Sequence, residues 1–306
     1  MPFSFRQIQY FIATADAGKV SGAAANLNVS QSAITAAVKA LEDLLGRHLF
    51  DRHSNGVTLT YDGHQFLQHA RGIVAAVSEA TRAPRRSGAA IKGEIAVGVT
   101  YTVAGYFLPP LLARFWRMFP AVKIHLHELD REEIEHGLIS GSLDLAVMLV
   151  SNLQRRDEIV SDILIRSKRR LWVSAGHELL RKEKVELADI ARYPYLMLTV
   201  DEAEKSALRY WAGTNHSPNV IFRTLSVEAI RSMVASGMGV TILSDMVYRP
   251  WSLEGQRIDV RDIEGQVHSM DVGLVWPRSS ERSEAGRAFC DLLSMAFTST
   301  MPHYSG

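Results

Sequence analysis

The sequence has almost no cysteine and no long apolar run, and each absence excludes a class of protein. Cys290 is the only cysteine among 306 residues, so an internal disulfide and a cysteine metal cluster are excluded. No uninterrupted apolar stretch approaches the roughly 18 residues of a membrane span. The N-terminus lacks the charged segment followed by an apolar one that marks a signal peptide. We therefore expect a cytoplasmic protein that does not enter a membrane.

Signatures of catalysis and of cofactor binding are also missing. Gly237-Met238-Gly239 lacks the Lys-Ser/Thr end of a phosphate loop. The sequence contains no Gly-x-Ser-x-Gly elbow or glycine-rich dinucleotide fingerprint either. His125 and His127 share one face of a predicted strand, but no third metal ligand is evident, which favours a solvated or cleft-lining pair over a metal site. We expect no enzyme, no cofactor and no bound metal.

Charge is distributed unevenly along the chain. The first 92 residues contain ten Lys/Arg and six Asp/Glu, a difference of +4, whereas the remainder contains 24 and 27, a difference of −3. With 47% apolar residues the chain can bury proper cores, and its length predicts two or three units. A basic head on a mildly acidic body is compatible with nucleic-acid binding.

Apolar spacing in the first fifty residues predicts a helix-turn-helix. A first amphipathic helix is followed by a short helix around 21–27, and Ser30 is a good N-cap for a third helix that ends at Gly46. The apolar positions of the first and third helices are Phe5, Ile8, Ile12 and Ala15, and then Ile34, Val38, Leu41 and Leu45.

The opposite face of the third helix carries the side chains that would read DNA. Gln31, Ser32, Thr35 and Lys39 point away from the apolar stripe, and Ser30 precedes them. Gln and Thr can contact base edges in the major groove, and Lys neutralises phosphate. Every amphipathic helix has a polar face, so an ordinary solvated surface stays open as the alternative.

A hairpin and a long helix follow. Strands over 49–53 and 57–60 flank Asn55-Gly56, a strong hairpin signal, and Arg52 and His53 at the edge of this wing are predicted to contact phosphate or the minor groove. Thr60 can cap a helix over 62–83. Its apolar positions, spaced as a heptad seam, are Phe66, Ala70, Ile73, Val77 and Ala80. Pairing with a second copy is favoured, and docking onto the same chain stays open.

Strand and helix patterns alternate in the rest of the chain and predict a parallel sheet flanked by helices. A second unit runs from about 171 to 243, and the chain returns to the first near 270–275. The expected strands lie at 95–99, 122–127, 143–149, 171–175, 195–198 and 239–243, and the expected helices at 109–119, 132–139 and 286–297.

Hydroxyl-bearing residues follow two of these strands, where ligands of open parallel sheets bind. Three sets are predicted to line an effector site: Thr100, Tyr101 and Thr102; Thr199 and Val200; and Ser226. Hydroxyls and free amides at the start of a helix favour an anion, so we expect a small organic acid. Plain helix capping by Thr100 and Thr102 is the alternative. The basic run Lys168-Arg169-Arg170 favours a solvated strand edge over a second DNA site.

The order and spacing of several motifs closely resemble the LysR-type transcriptional regulators, and the similarity extends through the whole chain. In the head the motifs are Ala23-Ala24-x-x-Leu27-x-Val29-Ser30-Gln31-Ser32-Ala33-Ile34-Thr35, Leu41-Glu42, Leu49-Phe50-x-Arg52 and Leu59-Thr60-x-x-Gly63. Behind it they are Leu108-Pro109-Pro110-Leu111-Leu112, Gly141-x-Leu143-Asp144-Leu145-Ala146 and Ser226-Val227-Glu228-Ala229-Ile230.

The resemblance implies a fold class: a winged helix-turn-helix head, a long linker helix, and two α/β subdomains like a type II periplasmic binding protein. The implied ranges are 1–61 for the head, 62–86 for the dimerising linker, 87–93 for a hinge, 94–165 with 270–306 for subdomain I, and 166–269 for subdomain II. A solute-binding receptor of the same two-subdomain fold is the runner-up, against which the wing argues.

The resemblance also implies partners. These are double-stranded promoter DNA, a small-molecule effector at the sites above, RNA polymerase as a candidate, and a homotetramer built as a dimer of dimers. Peroxide-sensing relatives use two cysteines, so the resemblance does not imply that mechanism for a chain with Cys290 alone. The family usually has Pro at Ser32 and an Arg or Gln pair at Ala36 and Ala37, which moves the predicted base contacts to Gln31, Thr35, Lys39 and the wing.

Overall fold

The computed structural model describes residues 3–53, 56–82, 91–265 and 267–298, and the chain divides into two compact units, 1–86 and 87–306. Residues 54 and 55 of the predicted turn and 87–90 of the predicted hinge lie outside the described residues. Among the described helices, none combines the length and the apolar composition that crossing a bilayer requires.

The first unit contains the predicted helix-turn-helix, hairpin and long helix. The apolar stripe of the third helix packs against the first, with Ile8, Phe11, Ile34 and Leu41 at most 1% exposed. Ser30 caps the third helix by accepting the Ala33 N–H at 3.2 Å. In chain order the elements are α1 (Phe5–Ala17), α2 (Val20–Leu27), α3 (Gln31–Leu45), β1 (Phe50–His53), β2 (Gly56–Leu59) and α4 (Tyr61–Arg82).

A buried carboxylate ties α3 to the hairpin. Glu42 is only 8% exposed, and its Oε1 accepts the backbone N–H groups of Leu49 at 2.7 Å and Phe50 at 3.1 Å. A buried carboxylate is costly unless it is hydrogen-bonded, and here two backbone donors supply that compensation. The start of β1 is therefore fixed relative to α3.

Two glycines allow the close backbone contacts that hold the hairpin and α4 in place. Gly56 has a φ of +146°, and a Cβ there would lie 2.3 Å from the Gly18 carbonyl oxygen. At Gly63, in the first turn of α4, a Cβ would lie 2.0 Å from the carbonyl oxygen of Leu49. Thr60 caps α4 by accepting the Gly63 N–H at 2.9 Å, as predicted. The first turn of α4 therefore lies directly against the backbone of Leu49, and a residue with a Cβ at position 63 would force a shift.

The first half of the α4 seam packs onto α1 of the same chain. The Phe66 ring meets that of Phe11 at a centroid distance of 5.1 Å, and Ala70 is fully buried. The sequence left two partners open for this seam, a second copy or the same chain. Phe66 and Ala70 pack onto the same chain. Val77 is 39% exposed, and the side chain of Ala80 lies outside the described residues.

The second unit begins with a five-stranded sheet in the order β4-β3-β5-β12-β6. Its elements are β3 (Gly93–Val99), α5 (Tyr101–Tyr106), α6 (Pro109–Met118), β4 (Val122–Glu128), α7 (Arg131–Ser140), β5 (Leu145–Leu149), β6 (Ile159–Ser167), β12 (Met270–Pro277) and α11 (Glu284–Thr298). Strand β3 is parallel to β4 and β5, as the alternation predicted. The returning strand β12 is antiparallel to β5 and β6, so the expectation of a purely parallel sheet was wrong.

The remaining strands form a second subdomain. Strands β10-β7-β11 make an antiparallel sheet, and β8 and β9 pair in parallel. Its elements are β7 (Arg169–Ser174), α8 (Leu187–Ile190), β8 (Pro194–Leu198), α9 (Ala203–Ala212), β9 (Asn219–Thr224), α10 (Val227–Ala235), β10 (Thr241–Ser244) and β11 (Ile258–Arg261). Strands β6, β9 and β11 were not predicted from the sequence.

The chain crosses from the first sheet to the second through Lys168, the one residue between β6 and β7, and it returns through the segment before β12. The predicted limits 94–165, 166–269 and 270–306 stay a prediction. Strand β6 keeps its pairing with β12 as far as Ser167.

We expect Gly63→Ala to destabilise the first unit by about 1–3 kcal/mol, the usual cost of forcing a group into packed space. Urea unfolding of the full chain measures this change. Gly72→Ala is the matched control, because Gly72 lies in the same helix and its added Cβ would meet no atom within 4 Å. That variant should be more stable by about 0.4–1 kcal/mol. Equal effects of the two changes would contradict the close approach at Gly63.

Candidate nucleic-acid interface and effector cleft

The polar face of α3 presents the side chains predicted to read bases. Gln31, Ser32 and Lys39 are exposed and Thr35 is half-buried. The Thr35 hydroxyl donates to the Gln31 carbonyl oxygen at 2.9 Å, so it can offer a base only its acceptor lone pairs and its methyl group. The hydroxyls of Ser30 and Ser32 lie 3.0 Å apart. Ala36 and Ala37 stand where the resemblance would place an Arg or Gln pair. Ala36 is exposed and Ala37 is half-buried.

The hairpin adds a cation beside this helix. Arg52 and His53 on β1 are exposed. Within the described part of the chain, the Arg52 guanidinium forms no hydrogen bond or ion pair, whereas His53 Nε2 lies 2.9 Å from Thr58 Oγ1 across the hairpin. Because Glu42 fixes the start of β1 against α3, the strand that carries Arg52 is held beside this helix.

A cleft with about 510 Å³ of empty space, including its open mouth, lies between the two subdomains of the second unit. Leu149 of β5 and Met270 of β12 form one wall, and β7, β8, α9 and β10 form the other. Most of the lining is apolar, and its polar groups come from a few side chains, among them Thr102, Arg169, Tyr195, Asp201 and Tyr210. The cleft lies where the resemblance placed an effector.

Arg169 is the guanidinium among the residues that line this cleft. One of its nitrogens, Nη1, donates to the carbonyl oxygens of His268 at 2.5 Å and Ser269 at 3.0 Å. Burial lowers its pKa, and no carboxylate of the described residues forms an ion pair with it. A partly satisfied cation in an apolar cleft is an attractive position for an anion.

The expectation that the run 168–170 is a solvated strand edge was wrong for Arg169 and Arg170, because β7 is the middle strand of its sheet and Arg169 lines the cleft. Lys168 is exposed and pairs with Asp262 at 2.9 Å, and Arg170 pairs with Asp245 at 2.5 Å. Neighbouring side chains on a strand point to opposite faces. That alternation was the signal in the sequence that could have assigned the middle residue of the run to the inner face.

Two buried phenols, those of Tyr195 and Tyr210, supply polar groups to the lining of the cleft. Tyr195 and Tyr210 are 1% and 5% exposed, and their hydroxyl oxygens lie 3.3 Å apart. Burial raises the pKa of both, which keeps the phenols neutral. Tyr195 also accepts the Ile242 N–H at 3.2 Å. These groups can donate or accept hydrogen bonds without adding charge.

The predicted effector residues fall into two groups. Thr102 and Val200 line the cleft, whereas Thr100, Tyr101, Thr199 and Ser226 are not among the residues that line it in the described part of the chain. Ser226 caps α10 by accepting the Ala229 N–H at 3.1 Å. Thr100 occupies the N-cap of α5 without capping it, and its hydroxyl is buried with no partner in the described structure.

Thr102 already has an anionic partner from its own chain. Its backbone N–H and its hydroxyl both donate to Asp201 Oδ2, at 2.8 and 2.5 Å. Asp201 lies in the short 3₁₀ turn Val200–Glu202 that follows β8. The donors that we expected to be free for a ligand are therefore occupied by a carboxylate of the second subdomain.

Further polar contacts join the two subdomains beside the cleft. Arg131 of α7 binds Glu135 at 3.0 Å and Glu202 at 3.1 Å. The Tyr106 hydroxyl donates to Glu228 at 2.7 Å, and burial together with this contact raises the pKa of Tyr106 to about 12. Arg131 and Tyr106 therefore connect the first subdomain to the second next to the cleft.

The histidine pair and the cysteine take no part in either site. His125 Nε2 lies 2.8 Å from Glu94 Oε2, a contact that lowers the pKa of Glu94. Among the described residues there is no group of three or more side chains that could hold a metal ion. Cys290 is 3% exposed in α11, and burial raises the pKa of its thiol.

Two family models match the chain. The model of the bacterial regulatory helix-turn-helix protein, lysR family, matches residues 5–64, and the model of the LysR substrate binding domain matches residues 88–298. The first covers the helix-turn-helix and hairpin, and the second covers both subdomains and the cleft.

Individual proteins agree with these models. The chain is 27% identical over 244 residues to the hydrogen peroxide-inducible genes activator of Dickeya chrysanthemi, covering 79% of each chain. It is 28% identical over 298 residues to a probable RuBisCO transcriptional regulator of Thalassiosira pseudonana, covering 93% of this chain and 95% of that protein. Among solved structures it resembles HinK, a LysR family transcriptional regulator from Pseudomonas aeruginosa, with 26% identity, a TM-score of 0.61, and 96% and 98% of the two chains covered.

We expect Glu42→Ala to lower the free energy of unfolding by about 1–3 kcal/mol, because it leaves the buried N–H groups of Leu49 and Phe50 without an acceptor. Urea unfolding of the full chain measures this loss. Glu42→Gln keeps an acceptor oxygen and should lose less. Asp43→Ala, a change at the next and exposed position of α3, is the control. A loss as large for Asp43→Ala as for Glu42→Ala would show that the buried carboxylate has no such role.

Proposed function

This chain belongs to the LysR family of transcriptional regulators, and from that premise we propose that it reads promoter DNA with α3 and β1 and responds to a small organic acid bound at Arg169. The family supplies the coarser statement: a helix-turn-helix domain that binds DNA and an effector-binding domain behind it. The residues that carry out each task are our proposal.

The proposed DNA interface consists of Gln31, Ser32, Thr35 and Lys39 on α3, with Ser30 before them and Arg52 and His53 on the wing. The observation that supports it most is the exposed row of donors and acceptors on α3, beside an Arg52 guanidinium that has no partner among the described residues. Side-chain amides and hydroxyls read base edges, and cations hold the phosphates. In this proposal Gln31 and Thr35 provide specificity, and Lys39 and Arg52 provide affinity.

One recognition helix covers too few base pairs to select a promoter, so pairs of heads on a two-fold site are expected. We propose a homotetramer, arranged as a dimer of dimers, that binds an interrupted palindrome in the cytoplasm. RNA polymerase is a candidate partner at the same promoter. The pairing contacts of α4 would come after its first half, which is packed against α1.

The proposed effector is an acid because the cleft offers a cation, Arg169, that has no ion-pair partner among the described residues and lies between apolar walls. Buried charges are stable when they are paired, and a guanidinium can bind a carboxylate through two parallel hydrogen bonds. The neutral phenols of Tyr195 and Tyr210 can hold a polar group of the ligand without repelling its charge. Peroxide sensing, which the name of one relative mentions, is not proposed for a chain with a single, buried cysteine.

The effector would act by shifting a population of subdomain arrangements. Arg169 binds the return segment at His268 and Ser269, so a ligand on the same guanidinium bears directly on the crossing between the subdomains. A ligand shifts such an equilibrium only by its differential affinity for the two arrangements.

For DNA binding, we expect Gln31→Ala and Thr35→Ala each to weaken binding to the specific site by about 1–3 kcal/mol. The site is first enriched from random duplexes with the full-length protein, and binding is then followed by gel shift. The two variants should lose discrimination between the enriched site and a scrambled duplex.

Lys39→Ala is the comparison for these variants. It should weaken binding to both duplexes alike and reduce the slope of the salt dependence by about 1, as expected for a phosphate contact. Unchanged specificity in both Gln31→Ala and Thr35→Ala would remove these residues from the base-reading surface.

For the effector, we expect calorimetry against a panel of metabolites to find binding by a small acid, and Arg169→Met to weaken that binding by about 2–5 kcal/mol through loss of the buried charge pair. Arg166→Met is the control, since it removes an exposed cation from the neighbouring strand β6. Binding by neutral or cationic compounds only, or equal losses in the two variants, would contradict an acid held by Arg169.

A further inference from the structure

The Asp201 carboxylate holds a position in the cleft that a ligand would also favour. Its Oδ2 accepts both the backbone N–H and the hydroxyl of Thr102, a residue that is only 3% exposed. Thr102 and Asp201 line the same cleft as Arg169. The carboxylate comes from the second subdomain and the donors come from the first, so this contact spans the cleft.

The backbone that carries Asp201 is held in a strained conformation. Asp201 and Glu202 have φ angles of +51° and +59°, and Asn28 is the only other described residue besides glycines with a positive φ. Residues with a Cβ adopt this left-handed region only when surrounding contacts hold them there. The contacts here are the bond from Asn152 Nδ2 to the Asp201 carbonyl oxygen at 3.1 Å and the pairing of Glu202 with Arg131.

The strained turn therefore holds the Asp201 carboxylate against the two buried donors of Thr102, as a bound ligand would be held. We propose that Asp201 acts as an internal ligand of Thr102, which closes the cleft when no effector is bound and competes with any external carboxylate for the Thr102 donors. One carboxylate at a time can accept these two hydrogen bonds. Its displacement would release the 3₁₀ turn from its strained conformation and break a contact between the subdomains.

This inference rests on the proposed function only in taking the effector to be an acid. Asp201 then sets the threshold of the response, because an acid anchored at Arg169 must displace it before reaching Thr102. Removing the internal carboxylate should increase the affinity for such an acid and loosen the empty cleft.

The test uses acetate, which is the Asp201 side chain as a free molecule: a carboxylate on one methyl group. In Asp201→Gly the carboxylate is absent, and glycine accepts the positive φ of this position, so the change adds no backbone strain to the turn. We expect amide hydrogen exchange in the peptide that contains Thr102 to become about 10- to 100-fold faster, as for the loss of a hydrogen bond to a charged group. Millimolar acetate should restore the protection and raise the unfolding temperature of this variant.

Three controls make the result specific. Amide exchange at Thr102 in wild-type protein should not respond to acetate, because its Thr102 donors are occupied. Acetamide, which has the same shape without the charge, should not rescue Asp201→Gly. Glu204→Gln removes a charge from the same segment, where Glu204 pairs with Arg223 at 2.9 Å, and it should behave like wild type.

Two outcomes would overturn the proposal: exchange at Thr102 that is unchanged in Asp201→Gly, or an equal effect of acetate on exchange at Thr102 in wild type and in Asp201→Gly. Both are independent of the metabolite panel. If acetate rescues Asp201→Gly but no acid binds wild-type protein, the internal ligand is supported and the acidic effector is not. If acid binding depends on Arg169 but acetate does not rescue Asp201→Gly, the acidic effector is supported and the internal ligand is overturned.

Discussion

A single guanidinium joins the two points at which the chain crosses between the subdomains. Arg169 begins β7 directly after the outward crossing, and its Nη1 binds the carbonyl oxygens of His268 and Ser269 just before the return. The same guanidinium lines the cleft, so the junction between the subdomains and the proposed effector site share one charged group.

Opposing contributions act on the turn that carries Asp201 beside the cleft. The left-handed backbone of Asp201 and Glu202 costs about 1–3 kcal/mol for each residue. The bonds to Thr102, Asn152 and Arg131 offset this cost, and charge-assisted hydrogen bonds in a partly buried site are among the stronger polar contacts.

Residues with a local pattern could be predicted, and those defined by long-range contacts could not. Helix α3 and its cap at Ser30 follow from apolar spacing and a capping residue, and both were found. The roles of Arg169 and Asp201 depend on which distant segments fold against them: 99 positions separate Arg169 from His268, and the same number separates Thr102 from Asp201. The propensities of single residues do not reveal which segments so far apart along the chain come into contact. Glu42 gave a weaker signal, as an acid beside the apolar stripe of its helix.

The buried carboxylate of Glu42 has a consequence for the DNA rather than for the protein. It fixes the start of the wing against α3, so in the proposed interface the separation between the backbone of β1 and the helix face is set by the protein. A head of fixed geometry leaves the deformation to the duplex, and the energy of that deformation depends on base sequence. Base pairs that no side chain touches would then contribute to the choice of promoter through the stiffness and width of the grooves they form.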